Sequence, residues 1–302
     1  VSTGAKQSIA NVVLSLINPG DEVVIPAPYW VSYVEIVKLA EGIPVIVEAG
    51  IESDFKITGD ILRSAITEKT KLMIFSTPCN PTGSVYSKEE LRDIANVLVE
   101  KPNVVAISDE IYEHINFVGK HESLAQFEDV FNQVVTINGV SKAWAMTGWR
   151  IGYIGAPQYI ADACTKMQGQ FTSGTNSIAQ RATIAAVNAD VKVLEEMIAA
   201  FKDRRDLVLG LLNEIEGVIT NVPEGAFYVF PDISYFIGKS FGDKVITSAD
   251  DLCMYLLSEA NVALVTGEAF GNAKCIRISY ATSDEILKEA LKRVKVALEN
   301  LK

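Results

Sequence analysis

The sequence predicts an α/β fold: a mostly parallel, mixed sheet sandwiched by helices, with a smaller C-terminal α/β domain. Three features predict it. Short apolar runs bounded by turn residues alternate with helix-period segments through the first part of the chain, the pattern of parallel strands joined by right-handed crossovers. Isolated polar or aromatic residues (Trp30, Asn80, Asp109 with Tyr112, Lys142 with Arg150) stand at or just beyond the ends of those runs, where open α/β sheets carry their ligands. A composition shift follows a long charged helical segment of about residues 191–215. The chain therefore divides into a large domain, 1–195, and a small one, 196–302, linked by that helix.

Taken in order, Ser2-Thr3-Gly4-Ala5-Lys6-Gln7 leads into a helix over Gln7–Ile17, with Ile9, Val12, Val13, Leu16 and Ile17 on one face. Small residues at a helix start leave N–H groups at the positive end of the dipole, either as a plain cap or as a phosphate seat. Asn18-Pro19-Gly20-Asp21 stops this helix, and Glu22–Pro26 is a strand. Trp30 follows it, ahead of a helix over Val31–Ala40, as a flat wall for a ring or as interfacial core. Ile43–Glu48 reads as a strand and Thr58–Ile66 as a short helix.

Leu72–Ser76 is a buried strand that ends in Thr77-Pro78-Cys79-Asn80-Pro81-Thr82-Gly83. Asn80, ahead of a proline, is held out of helical geometry, so its amide can be aimed. Ser87 caps a helix to Glu100, with Glu90 at the capping-box position. Val104–Ser108 is a strand with Asp109 at its end and Tyr112 three residues on. A carboxylate there needs a cationic or N–H partner, from the protein or from a ligand.

Val134–Ile137 is the next strand, followed by Gly139-Val140-Ser141-Lys142. Burial disfavours an ammonium and lowers its pKa, which makes an amine nucleophile able to form a Schiff base with an aldehyde. Arg150, just ahead of the strand-like run to Gly155, could fork onto a phosphate; a loop lysine and a surface arginine are the plainer alternative. Helices are expected at Gln158–Gln170, Ser177–Val187, Ala249–Glu259 and Asp284–Glu299. Strands are expected at Phe227–Phe230, Val262–Val265 and Cys275–Tyr280, the last containing Arg277.

Composition narrows the function classes. With 38 acidic against 27 basic residues and a net charge of −11 in 302 residues, nucleic acid and anionic membrane are disfavoured as main partners, although a local cationic pocket is not. Four scattered cysteines without a CxxC pair suit a reducing compartment, here the cytoplasm, and suggest no metal site. Neither histidine, His114 or His121, sits in a zinc or triad pattern, so a proton-transfer base would be another residue. No run of 18 apolar residues is present, so no membrane span is expected. The chain opens on Val1 and reads as a fragment, not as a natural start or a signal peptide.

In this order and spacing, these signals resemble the class I and II aminotransferases, the fold-type I enzymes that use pyridoxal phosphate (PLP). The resemblance covers essentially the whole chain. Ser141-Lys142 with Arg150-Ile151-Gly152 carries it most sharply, supported by Asn80-Pro81-Thr82-Gly83 and Ser108-Asp109-Glu110-Ile111-Tyr112. Gly4-Ala5-Lys6-Gln7, Pro28-Tyr29-Trp30 and the Arg277–Thr282 run narrow it to the bacterial aspartate aminotransferase branch.

The resemblance implies a PLP-binding large domain. Lys142 would hold PLP as a Schiff base and act as base and acid for the 1,3-proton shift. Asp109 would pair with the pyridine N–H, and Tyr112 and Asn80 with the ring O3′. Trp30 would stack on the ring and border the substrate. Gly4, Ala5 and Arg150 would hold the phosphate, with Ser141 and Lys6 beside it. Arg277 would bind the substrate α-carboxylate, with Asn80 assisting. Lys6 stands where aspartate-active members carry a lysine near the distal carboxylate, which implies aspartate and 2-oxoglutarate as the exchange pair. The bonds before Pro28 and Pro81 are expected in cis.

Two departures are expected to matter. Gly139 stands where the family often has a serine that contacts the phosphate. The family's N-terminal segment, with a substrate-contacting glycine and a tyrosine that reaches the other subunit's phosphate, is absent. The complete protein is expected to be an active homodimer with shared sites, and this span alone weak or inactive. Prephenate, aromatic and alanine aminotransferases and some carbon–sulfur lyases share most of these residues. A non-catalytic ligand-binding module on the same fold is the alternative outside enzymes.

Overall fold

The computed structural model describes all 302 residues. In chain order the elements are α1 Ala5–Leu16, β1 Glu22–Ala27, α2 Ser32–Leu39, β2 Ile43–Glu48, α3 Gly59–Ala65, β3 Thr70–Ser76, α4 Lys88–Glu100 and β4 Val105–Asp109. They continue with β5 Val134–Gly139, β6 Gly152–Gly155, α5 Gln158–Phe171, α6 Ser177–Val187, α7 Glu195–Leu212, β7 Tyr228–Val229, β8 Ser240–Phe241 and β9 Lys244–Val245. The last are α8 Ala249–Ala260, β10 Val265–Thr266, β11 Ile276–Ser279 and α9 Asp284–Glu299.

The main sheet has the order β2-β1-β3-β4-β5-β6. Its first five strands are parallel, and only β6 runs antiparallel, against β5. Strand alternation sends Val23, Ile25, Leu72 and Ile74 to one face, packed with Ile9, Val12 and Val13 of α1, Val37 of α2 and Ile160 of α5. Val24, Met73 and Ala106 face the other way, onto Leu62 of α3 and Leu91, Ile94 and Leu98 of α4. A strand buried on both faces has to be apolar throughout, which is why these segments read as continuous runs and not as alternating ones. The expected fold class is therefore the observed one.

A second core gathers Val208 and Leu212 of α7, Leu252 and Leu256 of α8 and Leu287, Leu291 and Val294 of α9 around Val229, Ile276 and Ile278. The last three belong to a small antiparallel sheet, β10-β11-β7. Phe201 of α7 packs against this core and also against the Ile111–Tyr112 region of the large sheet.

Registers line up the strand ends that matter. Ser76 pairs with Asp109, and Asp109 with Ile137. Because β6 returns antiparallel with Gly139 opposite Gly152, the connection holding Lys142 and Arg150 stays at that same end of the sheet. Ser2 closes the corner: its N–H donates to Gly152 O at 2.7 Å, and Gly152 N–H donates back to Ser2 O at 3.0 Å. That places the start of α1 beside Arg150.

Several boundaries differ from expectation for local reasons. The helix expected over 191–215 is a 3₁₀ turn, Val191–Leu194, followed by the shorter α7. The strand expected at Val262–Val265 begins three residues late: Asn261 is left-handed (φ 53°), and Val262 N–H donates to Leu256 O at 3.2 Å, so Val262 serves the helix cap. Arg150 also has positive φ, at 55°, which delays β6 to Gly152. The β8–β9 hairpin has no counterpart in the sequence reading. Cis peptide bonds occur at Ala27-Pro28, as expected, and at Thr77-Pro78, which corrects the expectation for Pro81.

Candidate active site

The ends of β3, β4 and β5 open into a cavity of about 450 Å³ lined by every residue singled out from the sequence except Gly4, which adjoins it through Arg150. The strand termini are charged or polar because the backbone there leaves the ladder, so each side chain can reach into space instead of into the core.

Asp109 is the deepest charged group, 4% exposed. Its Oδ2 accepts from the Tyr33 hydroxyl at 2.7 Å and its Oδ1 from Ile111 N–H at 3.3 Å. No lysine, arginine or histidine forms an ion pair with it. Burial pushes its carboxyl up to about 6, against the two hydrogen bonds and the Lys142 charge that pull it down; the neighbouring Glu110 pushes with burial. A carboxylate so placed calls for a cationic N–H.

Lys142 is half-buried, its Nζ 5.4 Å from the Tyr112 ring centroid and 5.5 Å from that of Phe227. It too is in no ion pair. Burial lowers its pKa; the Asp109 charge opposes this, and Arg277 and Arg150 add to it. Tyr112 is buried, and its hydroxyl shares a 3.0 Å hydrogen bond with that of Tyr228.

Arg277 reaches the cavity from the small sheet. Its Nη1 donates to Asn80 Oδ1 at 3.0 Å, and its guanidinium lies over the rings of Tyr228 (4.6 Å) and Phe270 (4.7 Å). Its buried Nε has no partner in the protein, nor has the buried Ser76 Oγ in the same cavity wall. An arginine with unmet donors, held by two aromatic faces, is a ready carboxylate receptor.

At the other side, Arg150 is exposed and donates through Nη1 to Thr147 O at 2.8 Å. Its guanidinium packs on Gly4, the N-cap of α1 with φ 95° and no side-chain cap. A Cβ on Gly4 would lie 2.5 Å from Arg150 Nη2, so only glycine lets the arginine and the helix N-terminus share one point. No acidic residue stands in the first turn of α1. Both features favour an anion. Ser141 lines the cavity from the turn after β5. Gly139 has a steric reason: an added Cβ would sit 2.7 Å from Ile151 O.

Trp30 is half-buried, edge-on to Tyr33 with ring centroids 5.6 Å apart, and the exposed Lys6 carries its Nζ 4.8 Å from the Trp30 centroid. Tyr33, Ser76, Ile111, Thr147 and Tyr228 also line the cavity but were not singled out from the sequence. Tyr33 lies three residues beyond Trp30 and Tyr228 inside an aromatic strand, settings in which either side chain suits a core equally well. His121 is used elsewhere: its Nε2 pairs with Glu110 Oε2 at 2.9 Å, while Ser108 and Ser123 hydroxyls donate to Glu110 Oε1. Ligand-type atoms of Glu110, Glu113 and His121 lie within 4.8 Å of one another, a grouping with no sequence pattern to announce it.

The family model described as "Aminotransferase class I and II" matches residues 1–294. The bifunctional aspartate aminotransferase and glutamate/aspartate-prephenate aminotransferase of Petunia hybrida is 48% identical, over 100% of this chain and 64% of its own length. The chain thus spans less than two thirds of that relative. An aspartate/prephenate aminotransferase of Nitrosomonas europaea is 46% identical, over 97% of this chain and 75% of its own. The crystal structure of the aspartate aminotransferase from Rhizobium meliloti superposes with a TM-score of 0.97 at 44% identity, covering 100% of this chain and 76% of that one.

Proposed function

The chain belongs to the class I and II aminotransferase family, and from that premise we propose that the complete protein moves an amino group between L-aspartate and 2-oxoglutarate, using PLP bonded to Lys142. One observation carries the reading: a half-buried lysine amine without an ion pair faces the same cavity as a buried, cation-free Asp109 and an Arg277 with an unmet donor.

The residues present fit the cofactor. Asp109 suits a protonated ring nitrogen. Gly4, Ala5 and Arg150, with Ser141 beside them, suit its phosphate, and Lys142 its aldehyde. Trp30 offers a flat wall. When bound, PLP supplies a conjugated ring that spreads the charge left on an amino acid's Cα after deprotonation.

The chain's own groups do the rest. Lys142 Nζ, once the substrate amine has displaced it, would take the proton from substrate Cα and deliver it two atoms away, the 1,3-shift that transamination requires, a task that its lowered pKa suits. Asp109 holds the ring nitrogen protonated. Asn80 spends its Oδ1 on Arg277, so its amide N–H and the Tyr112 hydroxyl are the groups to hold the ring oxygen. Arg277 binds the α-carboxylate, and Lys6 the distal carboxylate of aspartate. Prephenate is the second reading, because the Petunia and Nitrosomonas relatives carry it in their names.

We read residues 1–195 as the cofactor-binding unit and 196–302 as the smaller one, and the complete protein as a homodimer. The exposed Trp149 and Ile178, which flank a surface hollow beside Arg150, support a partner subunit there. No helix is long and apolar enough to cross a membrane, and all four cysteines are free; the free thiols support the cytoplasm.

The test is an absorbance spectrum of the full-length protein with PLP. A near-ultraviolet to visible band that shifts on adding aspartate, and that Lys142→Ala abolishes together with turnover, is the expected result. A protein that stays colourless with PLP, or a Lys142→Ala variant with normal transamination, overturns it.

A further inference from the structure

Tyr33 is an unusual core residue. It is 1% exposed and packs among Ile9, Ile25, Val37, Ile74 and Ile107, on the large sheet's main apolar face. Only its hydroxyl leaves that setting, to line the cavity and donate to Asp109 Oδ2 at 2.7 Å. The phenol is carried at the first turn of α2, held by Tyr33 N–H donating to Trp30 O at 2.9 Å and by the edge-on Trp30 ring. Asp109 is pinned from the opposite side by Ile111 N–H. Two donors from different elements, one per oxygen, fix the plane of a carboxyl group that has no cation of its own.

We propose that Tyr33 is a positioning residue for this reaction: its phenol fixes one oxygen of Asp109 and so sets the direction and the charge that this carboxyl presents to the cofactor's ring nitrogen. The inference rests on the PLP reading for its consequence, but not for the contact itself. The alternative is that a buried hydroxyl merely found an acceptor, as buried hydroxyls must. The two differ in what removing the hydroxyl does. If Tyr33 holds Asp109 ionised, loss of a charge-assisted donor in a buried site favours the neutral acid. The other charged or titratable groups facing this pair are Glu110 beside Asp109, Lys142 and Tyr112 across the cavity, and Cys79 near Tyr33. All of them stay in place in a Tyr33→Phe variant, which keeps the ring and its packing.

The experiment has two arms on the full-length protein. In the cofactor-free form, carbon-13 NMR of the aspartate carboxyls should show the Asp109 titration moving from about 6 to about 7 in Tyr33→Phe. In the PLP-loaded form, kcat should fall about tenfold with the KM for the amino acid unchanged, since Arg277 is untouched. The same Tyr33→Phe change made on an Asp109→Asn background should cost almost nothing more, because the residue acts through Asp109. An unmoved carboxyl titration, or an equal loss of kcat in both backgrounds, overturns the inference while leaving the aminotransferase reading intact. Wild-type protein that binds no PLP overturns that reading, and with it the role toward the ring nitrogen; the cofactor-free titration still decides whether Tyr33 holds Asp109. Should Tyr33→Phe fail to fold, an unshifted Asp109 titration in wild-type protein carrying 3-fluorotyrosine, a stronger donor, overturns the inference by itself.

Discussion

Arg277 and Asn80 are 197 residues apart, yet share a 3.0 Å hydrogen bond. The buried Nε of the arginine has no partner in the protein, and two aromatic faces hold its plane. A lysine at that position could present charge but not the planar fork. Arg277→Lys is therefore expected to raise the KM for amino acids about tenfold to a hundredfold, the loss of one charge-assisted hydrogen bond, with little change in Tm; steady-state kinetics and a melting curve measure both. Lys6→Ala separates the substrate readings: activity on aspartate should fall far more than activity on an aromatic amino acid, and equal losses would remove Lys6 from the specificity argument.

Asp109 sets a pH dependence of stability. Its folded pKa, about 6, lies above the ordinary 3.8, so the native cofactor-free protein binds more protons than the unfolded chain between those values. Stability from this group is thus greatest below about 4, declines as pH rises towards 6, and is flat above, with a total cost of about 3 kcal/mol. Asp109→Asn is expected to abolish that slope. Urea unfolding of both cofactor-free proteins at several pH values between 4 and 7 tests it; parallel profiles would show that the carboxyl is not the source.

At the level of elements, the site depends on one reversal of direction. Four parallel pairings bring β1 to β5 to a common edge, and β6 then returns antiparallel. That return is what puts Arg150 beside the turn of Lys142 and beside the N-terminus of α1. Gly139 and Gly152 face each other at its root, with too little room for a side chain at Gly139. Gly139→Ser, the residue that the family resemblance leads one to expect there, is expected to destabilise by about 1–3 kcal/mol and to weaken PLP binding by moving Ile151 and hence Arg150. Unchanged Tm and PLP affinity would show that this turn yields without consequence. The sequence displayed other elements openly. Ser87 and Glu90 form the reciprocal cap of α4, with Glu90 N–H to Ser87 Oγ at 3.2 Å and Ser87 N–H to Glu90 Oε2 at 2.7 Å. Such caps are legible because donor and acceptor lie three residues apart. The late start of β10 was not, since Asn261 looked like any polar residue until its left-handed backbone ended α8.

Across the whole molecule, two cores meet at Phe201 and at the Arg277–Asn80 bond. The proposed pairing with a second copy has a direct measurement: sedimentation of the full-length protein should give a dimer, and Trp149→Glu should shift it toward monomer with loss of activity. A monomeric, fully active wild type would exclude shared sites. Many of the residues that line the candidate site were readable in the chain alone. Asp109 ends an apolar run, Asn80 and Lys142 stand in the short turns that follow such runs, and alternating strands and helices indicated the class of fold, because short-range periodicity reports burial directly. Tyr33, Ser76 and Tyr228 were not readable. Their side chains suit a core equally well, and what makes them part of the site is a partner far away in sequence: 76 residues for Tyr33 and Asp109, 116 for Tyr228 and Tyr112. Local pattern determines which segments bury and which residue types stand at their ends; strand direction, register and the pairing of distant polar groups are decided only when both faces of the sheet are covered at once, since those contacts gain their energy from the whole packing and leave no trace in neighbouring residues.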